Sequence, residues 1–481
     1  MAYKHGVFSS EVPTSIIPPR SIGAALPVVF GTAPVHMRSV AAHGPVNVPT
    51  LCYSYAEAVA ALGYSDDWGN YTLCEFFKAF FGLFNVAPIV VVNVFDPAVH
   101  KVAITDESVT LVAGEKAVAH PGMVADPVVA SAAAGAGTTY VKDTDYEVDL
   151  ATGIISRIEG GAIATDTAIV FVTYSYGDPS LVDAEDIIGG VDGDDLATGL
   201  ELINSVFPMF RLVPGQIVAP GWSQDPAVAA VMVAKGGNIN SHFKASVLVD
   251  VPSDTVVSYS AVPAYKNENN LTDERLFVCW PKLKLGDDVY WMSSQLAGLI
   301  AQVDADNDDV PYVSPSNKSF QATAAVANGA EVWLGPEQGQ YLNGQGIVTA
   351  LNFIGGWKCW GNRTGAYPAV TDPKDVFIPG RRMFDWVGNS LQLNFWQKLD
   401  APTNRRLIET VVDSANIWLN GLVGREYLLG GRVEFRSDEN PVTDVMDGKL
   451  RFHVYMTPPA PGREIDFIQE YDPAYIQALF G

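Results

Sequence analysis

PVVFGTAP, residues 27–34, is an apolar run that decides the fold together with a second one, APIVVVNVF at residues 87–95. Short continuous apolar runs are typical of strands that are covered on both faces of a sheet. Between the two runs, helical periodicity predicts one helix over 54–62 and another in YTLCEFFKAFF at 71–81. This alternation of strand and helix predicts a three-layer α/β core domain.

The same alternation returns after residue 179. Strands are predicted in IVAPG (217–221), ASVLVDVP (245–252) and RLFVCWP (275–281), with a helix in DPAVAAVMVAKGG (225–237). A further helix is predicted over 192–207. Its first residues include Asp192, Asp194 and Asp195, which are either paired carboxylates of a site or helix caps, and their position before an apolar period favours caps. The core domain is therefore expected to be discontinuous, comprising 20–98 and 179–345.

Residues 99–178 interrupt the core with a different pattern. Short alternating runs separated by turns, such as IVFVTYSY at 169–176, predict an all-β insertion domain. We expect it to lie on the surface of the protein.

Residues 346–481 are predicted to form an α+β domain. Two amphipathic helices are expected over 380–399 and 403–422, followed by strands in GRVEFRS (431–437), KLRFHVYMTPP (449–459) and REIDFIQEY (463–471). The last strand would be an edge strand, to which another chain is able to add. At the other end of the chain, three prolines prevent residues 1–19 from forming a helix, so this segment is expected to be an arm in need of a partner.

The composition limits the classes of partner and function that fit this chain. The 481 residues carry a formal charge of −24, which argues against nucleic acid as a partner. No apolar stretch is long enough for a membrane span, so no membrane insertion is expected, and the four widely spaced cysteines suggest buried thiols in a protein made in the cytoplasm.

Motifs for catalysis are missing from the sequence. It contains no nucleophile elbow, phosphate-binding loop or dinucleotide fingerprint, and its seven histidines show no metal-ligand spacing. VDADNDDV (303–310) begins like a calcium loop but lacks the required glycine and glutamate, which favours a solvated acidic turn over a weak cation site. The aromatic segment 355–368 is read as a core strand and turn rather than a sugar or base platform. We therefore expect no enzyme, no cofactor and no metal.

Several segments together resemble the contractile phage tail sheath proteins, and also the R-type pyocin sheaths. The resemblance rests on HGVFSSEV (5–12), VSPSNKSFQATAAV (313–326), LNGQGIVTALNF (342–353), WKCWGNRT (357–364), RRMFDWVGNSL (381–391) and the closing stretch 447–479. It covers the whole chain except about 99–178. The combination of SPSNK, WGNRT and a closing strand with TPP makes it specific.

The resemblance implies a structural subunit that polymerises helically around a tail tube in a metastable extended state. Contraction then drives the tube through the target envelope. Its implied partners are further copies of the chain, the tail tube protein, and the baseplate and tail terminator proteins. It implies assembly in the host cytoplasm and a place in the virion tail. A pyocin-like or other non-phage injection system is the alternative; an enzyme on the α/β core and a carbohydrate-binding spike are the competing classes.

The resemblance also implies which residues meet these partners. Terminal strands would be exchanged between neighbouring subunits through 1–19 and about 463–471, and the C-terminal domain would face the tube. The expected exchange residues are Val7, Phe8, Val12, Ile465, Phe467 and Ile468. For the tube, the polar face of the second long helix is expected to offer Arg405, Glu409 and Asp413, although a merely solvated helix face remains the alternative.

Overall fold

The computed structural model describes residues 23–38, 43–133 and 137–477. The predicted exchange residues Val7, Phe8 and Val12 lie outside these residues. In chain order the strands are β1 Pro27–Gly31, β2 Thr50–Cys52, β3 Ile89–Asn93, β4 Lys101–Thr110, β5 Glu115–Ala117, β6 Val128–Ala130, β7 Tyr146–Asp149, β8 Ile154–Arg157, β9 Ile169–Gly177, β10 Gln216–Val218, β11 Ser246–Asp250, β12 Leu276–Cys279, β13 Lys282–Leu285, β14 Asp288–Tyr290, β15 Ala324–Ala327, β16 Ala330–Glu331, β17 Ile347–Asn352, β18 Trp357–Trp360, β19 Gly430–Glu434 and β20 His453–Thr457.

The α-helices lie in the core and in the C-terminal part, and none lies in the described residues of the insertion. They are α1 Tyr55–Leu62, α2 Thr72–Phe77, α3 Ala184–Ile188, α4 Ile203–Phe210, α5 Pro226–Gly237, α6 Val262–Glu268, α7 Met292–Ala305, α8 Pro336–Asn343, α9 Pro373–Val376, α10 Ile378–Phe395, α11 Arg405–Gly424, α12 Val442–Met446 and α13 Ala474–Gln477. The predicted second helix continues past α2 as a π-helical turn over Lys78–Leu83.

The core is an eight-stranded sheet with the order β18-β17-β12-β11-β10-β1-β3-β2. Its six inner strands run parallel, and antiparallel strands close both edges. All five residues of β1, β3 and β11 are buried, which explains the apolar runs 28–30, 89–92 and 247–249 within them. The predicted mixed α/β fold is therefore confirmed.

Helices cover both faces of this sheet. Gln216 and Asp250 point to one side, where their side chains form hydrogen bonds with α7. Ile217 and Val247, whose side chains alternate with these, lie beside Gly236 of α5 on the other side. The buried apolar residues between the layers form one large cluster.

The insertion has its own core. Its six strands form two three-stranded sheets, β4-β9-β6 and β5-β8-β7, around a separate cluster of buried residues that includes Val129, Ile155 and Val172. The chain enters and leaves at one point, because Lys101 at the start of β4 pairs with Gly177 at the end of β9.

The C-terminal part packs around a third cluster, built from α10, α11 and a two-stranded ribbon of β19 and β20. The second long helix is amphipathic, as predicted, and its residues Val411, Ala415, Trp418 and Leu422 are buried on one face.

Three details differ from the sequence-based expectations. β17 and β18 belong to the core sheet because β17 pairs in parallel with β12, so the division expected at 345/346 falls inside that sheet. Only two of the three expected closing strands form, since 463–471 has no regular structure in the single chain. Asp192 caps no helix: its carboxylate accepts the N–H groups of Asp194 and Leu196 in a turn ahead of the first helical residue.

Candidate assembly interface

The segment 463–471 exposes the three apolar residues that were expected to enter a neighbouring sheet. Ile465 is 77% exposed, Phe467 84% and Ile468 91%. Burying an aliphatic or aromatic side chain of this size gains about 1.5–3 kcal/mol, so three in succession are unfavourable in water and favourable against an apolar partner. In the single chain these side chains are not buried, so this free energy becomes available only on contact with a partner.

Next to this segment, the ribbon of β19 and β20 offers an edge for another strand. Each strand has only one neighbour within the described ranges. The side chain of Asn416, on α11, occupies the outer edge of β19: its Nδ2 donates to the carbonyl of Val433 (3.0 Å), and its Oδ1 accepts from the Val433 N–H (2.8 Å). An amide side chain thus replaces a strand at this position of β19.

The same contact fixes the orientation of β20. The N–H and C=O of a residue in an antiparallel strand point to the same side, and those of Val433 point away from β20. Val433 lies opposite Val454, and Gly431 lies opposite Met456. The backbone groups of Val454 and Met456 therefore point outward, and among residues 23–38, 43–133 and 137–477 no backbone group is hydrogen-bonded to them.

The predicted tube-contact residues lie on the solvent side of α11. Arg405 and Glu409 form an exposed ion pair one helical turn apart (Nε to Oε1, 2.6 Å), and Asp413 is exposed one turn further on. Their face is opposite the buried face of the helix, so these side chains are free to meet a partner.

A buried ion pair joins the C-terminal part to the core. The guanidinium of Arg382, on α10, contacts both carboxylate oxygens of Asp304 at the end of α7, and the Nη1 to Oδ1 distance is 3.0 Å. Burial raises the pKa of Asp304, and Arg382 opposes this shift. Asp304 was expected in a solvated acidic turn. That expectation is wrong for this residue because the turn packs against α10.

A second set of ion pairs lies at the same junction. Asp385 accepts hydrogen bonds from Arg275, which precedes β12 (3.2 Å), and from Arg381 (2.8 Å). Arg381 also binds Asp375 (3.0 Å). This network was not predicted from the sequence. The signal was available in RRMFDW, where charges occupy positions that helical periodicity places against the core.

The histidine, cysteine and acidic side chains bear on metal binding and nucleophilic chemistry. Within the described ranges no group of histidine, cysteine and acidic residues is arranged to hold a metal ion. The cysteines Cys52, Cys74, Cys279 and Cys359 are buried and unpaired, and burial raises the pKa of each thiol. Buried neutral thiols are poor nucleophiles. No helix in the described part of the chain is long and apolar enough to span a bilayer.

Comparison with known proteins identifies the family. No protein-family model matches the sequence. The tail sheath protein of Burkholderia phage BcepMu is 30% identical over 493 aligned residues, which cover 100% of this chain and 99% of that protein. A putative prophage major tail sheath protein of Pseudomonas aeruginosa (strain UCBPP-PA14) is 24% identical over 337 residues, 68% of this chain and 83% of the relative.

Solved structures agree with this match. The fold is similar to that of the sheath in the PVC extracellular contractile injection system, determined in its contracted state, with a TM-score of 0.58, 14% identity and 99% of each chain covered. Because the phage relative matches over its full length at 30% identity, the chain belongs to the tail sheath protein family.

Proposed function

We propose that this sheath subunit polymerises by exchanging its terminal segments with neighbouring copies. The observation that carries the proposal is the exposed apolar run Ile465, Phe467 and Ile468 in the same chain as an open edge on β20. At high concentration, an exposed apolar run and an open strand edge each favour non-specific aggregation. When the run of one subunit adds to the edge of another, the two features form one specific contact.

In the proposed assembly, residues 463–471 of one subunit add to the outer edge of β20 in the next. Residues 1–19, with Val7, Phe8 and Val12, form a second exchanged strand. Such a contact joins two different surfaces, and it continues as a helix when the rotation between subunits does not close a ring. Backbone hydrogen bonds across it survive rotation of the rigid domains, which allows the subunits to move without separating.

The helical assembly of subunits would surround a tail tube in a metastable extended state and shorten to drive the tube through the target envelope. The tail tube protein, baseplate and tail terminator are the further partners. Assembly would occur in the host cytoplasm and place the chain in the virion tail. Residues 346–481 would face the tube, with Arg405, Glu409 and Asp413 in contact, and the insertion 99–178 would lie outside.

A pair of proline variants on one strand tests the exchange. Met456→Pro removes an N–H from the outer edge of β20 only, whereas Tyr455→Pro removes one that belongs to the ribbon. We expect the first variant to fold but to form no tubes in negative-stain electron microscopy. The second should lose stability as well. Tubes formed normally by Met456→Pro would contradict strand addition at this edge.

The apolar side chains are tested separately. Phe467→Asp together with Ile468→Asp should also abolish tubes, because a carboxylate opposes burial in a neighbouring sheet. The matched control is Val112→Asp, since Val112 is 64% exposed but belongs to the insertion. Equal assembly of both variants would show that apolar burial of 463–471 plays no part.

A further inference from the structure

Arg363, in the segment WKCWGNRT, has an unusual environment. Its guanidinium lies 4.4 Å from the ring centre of Tyr367 and 4.0 Å from that of Phe377. Stacking between two rings holds the planar group in place, and its N–H donors remain directed outward along its edges. The side chain is therefore oriented in advance for a planar acceptor.

No carboxylate pairs with Arg363 in the part of the chain that the structure describes. This differs from Arg381, Arg382 and Arg451, each of which binds an aspartate. Burial lowers the pKa of Arg363, and the neighbouring Arg463 lowers it further. A partly buried guanidinium without a carboxylate partner among the described residues is stabilised when an anion binds it.

The position of Arg363 indicates which anion binds it. It lines a groove whose walls include the amides of Asn317, Gln340 and Asn343, together with Arg463 and Glu464 of the same chain, which pair with each other. Residues 461–464 form one side of this groove, directly after β20 and directly before the exposed run. A segment of a neighbouring subunit that is added along β20 would pass close to it.

We propose that Arg363 binds a carboxylate of the C-terminal segment that a second copy of this chain contributes. Residues 463–477, which extend that segment beyond 471, contain Glu464, Asp466, Glu470 and Asp472. A planar carboxylate is the ligand that a fixed guanidinium binds in bidentate geometry. The contact selects the acidic arm among like-charged subunits that otherwise repel one another. This inference rests on the proposed exchange of terminal segments.

The test uses a fluorescent peptide of residues 463–477 and the full-length chain, with binding followed by anisotropy at low ionic strength. A second peptide carries Glu464→Gln, Asp466→Asn, Glu470→Gln and Asp472→Asn. We expect the wild-type chain to bind the acidic peptide about tenfold or more tightly than the neutral one, in the range of a charge-assisted hydrogen bond. In Arg363→Met this preference should disappear, and in Arg363→Lys it should fall to an intermediate value.

Arg406→Met is the control, because Arg406 is an exposed arginine on α11. It should keep the full preference for the acidic peptide. Equal binding of the two peptides to the wild-type chain, or an unchanged preference in a folded Arg363→Met, would overturn the role of Arg363 and leave strand exchange standing. If neither peptide binds the wild-type chain, the exchange itself fails, and this inference fails with it.

Discussion

Arg382 and Asp304 form an ion pair in which both side chains are almost completely buried, with 2% and 1% of their surface exposed. The pair connects α10 of the C-terminal part to the end of α7 in the core. Asp385 and its two arginines lie at the same junction. These ion pairs fix α10 to the core.

Removing one partner of this pair should be strongly destabilising. Arg382→Met leaves Asp304 buried without its cation, and the free energy of unfolding should fall by about 3–5 kcal/mol. Urea unfolding followed by circular dichroism measures the change. The double variant Arg382→Met with Asp304→Leu should recover most of the loss, because no buried charge then remains.

Arg405→Met is the control for this experiment, since it also removes an arginine from an ion pair. Arg405 is 91% exposed, and solvent screens its attraction to Glu409, so little change in stability is expected. Equal losses in Arg382→Met and Arg405→Met would contradict a special role for the buried pair.

Much of the core was predictable because its signal is local. Apolar runs such as 27–31 and 89–93 form strands wherever both sheet faces are covered, and their sequence shows this directly. The membership of β17 in the core sheet was not predictable, since it depends on pairing with β12, about seventy residues earlier. The prediction for Asp304 failed for the same reason, because Asp304 is buried by α10, a helix that the local sequence does not place beside it.

The candidate interface was only partly predictable. The exposed apolar residues Ile465, Phe467 and Ile468 could be identified from the sequence, since an apolar alternation near the end of the chain lacks a partner. The contact of Asn416 with the outer edge of β19 could not be predicted. It depends on Asn416, an ordinary polar residue of α11, reaching the backbone of Val433 across tertiary structure.

A buried glutamate should make stability depend on pH. Glu75, on α2, is 1% exposed and accepts the N–H of Trp291 (2.7 Å). Burial raises its pKa from 4.5 to about 8. The folded state therefore binds more protons than the unfolded state between these values, and this contribution to stability is lost as the pH rises from about 4.5 to 8. Melting temperatures measured across this window should fall less steeply in Glu75→Gln.

Glu337→Gln is the comparison for the pH experiment, because Glu337 is an exposed carboxylate on α8. Its melting curve should follow the wild-type chain at every pH. If Glu75→Gln and Glu337→Gln show the same pH dependence, the carboxylate of Glu75 does not control it.

The insertion should be dispensable for assembly. Its core is separate from that of the sheet, and its ends meet where Lys101 pairs with Gly177. Replacing 102–176 with a short Gly-Ser turn should leave a folded chain that still forms tubes in electron microscopy. Tubes that fail to form from a folded variant would place the insertion in the interface between subunits rather than on the outside.

The exposed face of α11 should affect binding to the tail tube protein but not the stability of the fold. Arg405, Glu409 and Asp413 are exposed, so replacing all three with alanine should leave the melting temperature and self-assembly nearly unchanged. Co-sedimentation with the tail tube protein should fall, and the wild-type interaction should weaken with salt, because polar contacts between exposed charges are screened. The control replaces Glu115, Lys116 and Asp126 of the insertion with alanine and should bind the tube normally. Equal binding by both triple variants would mean that this face of α11 is only solvated.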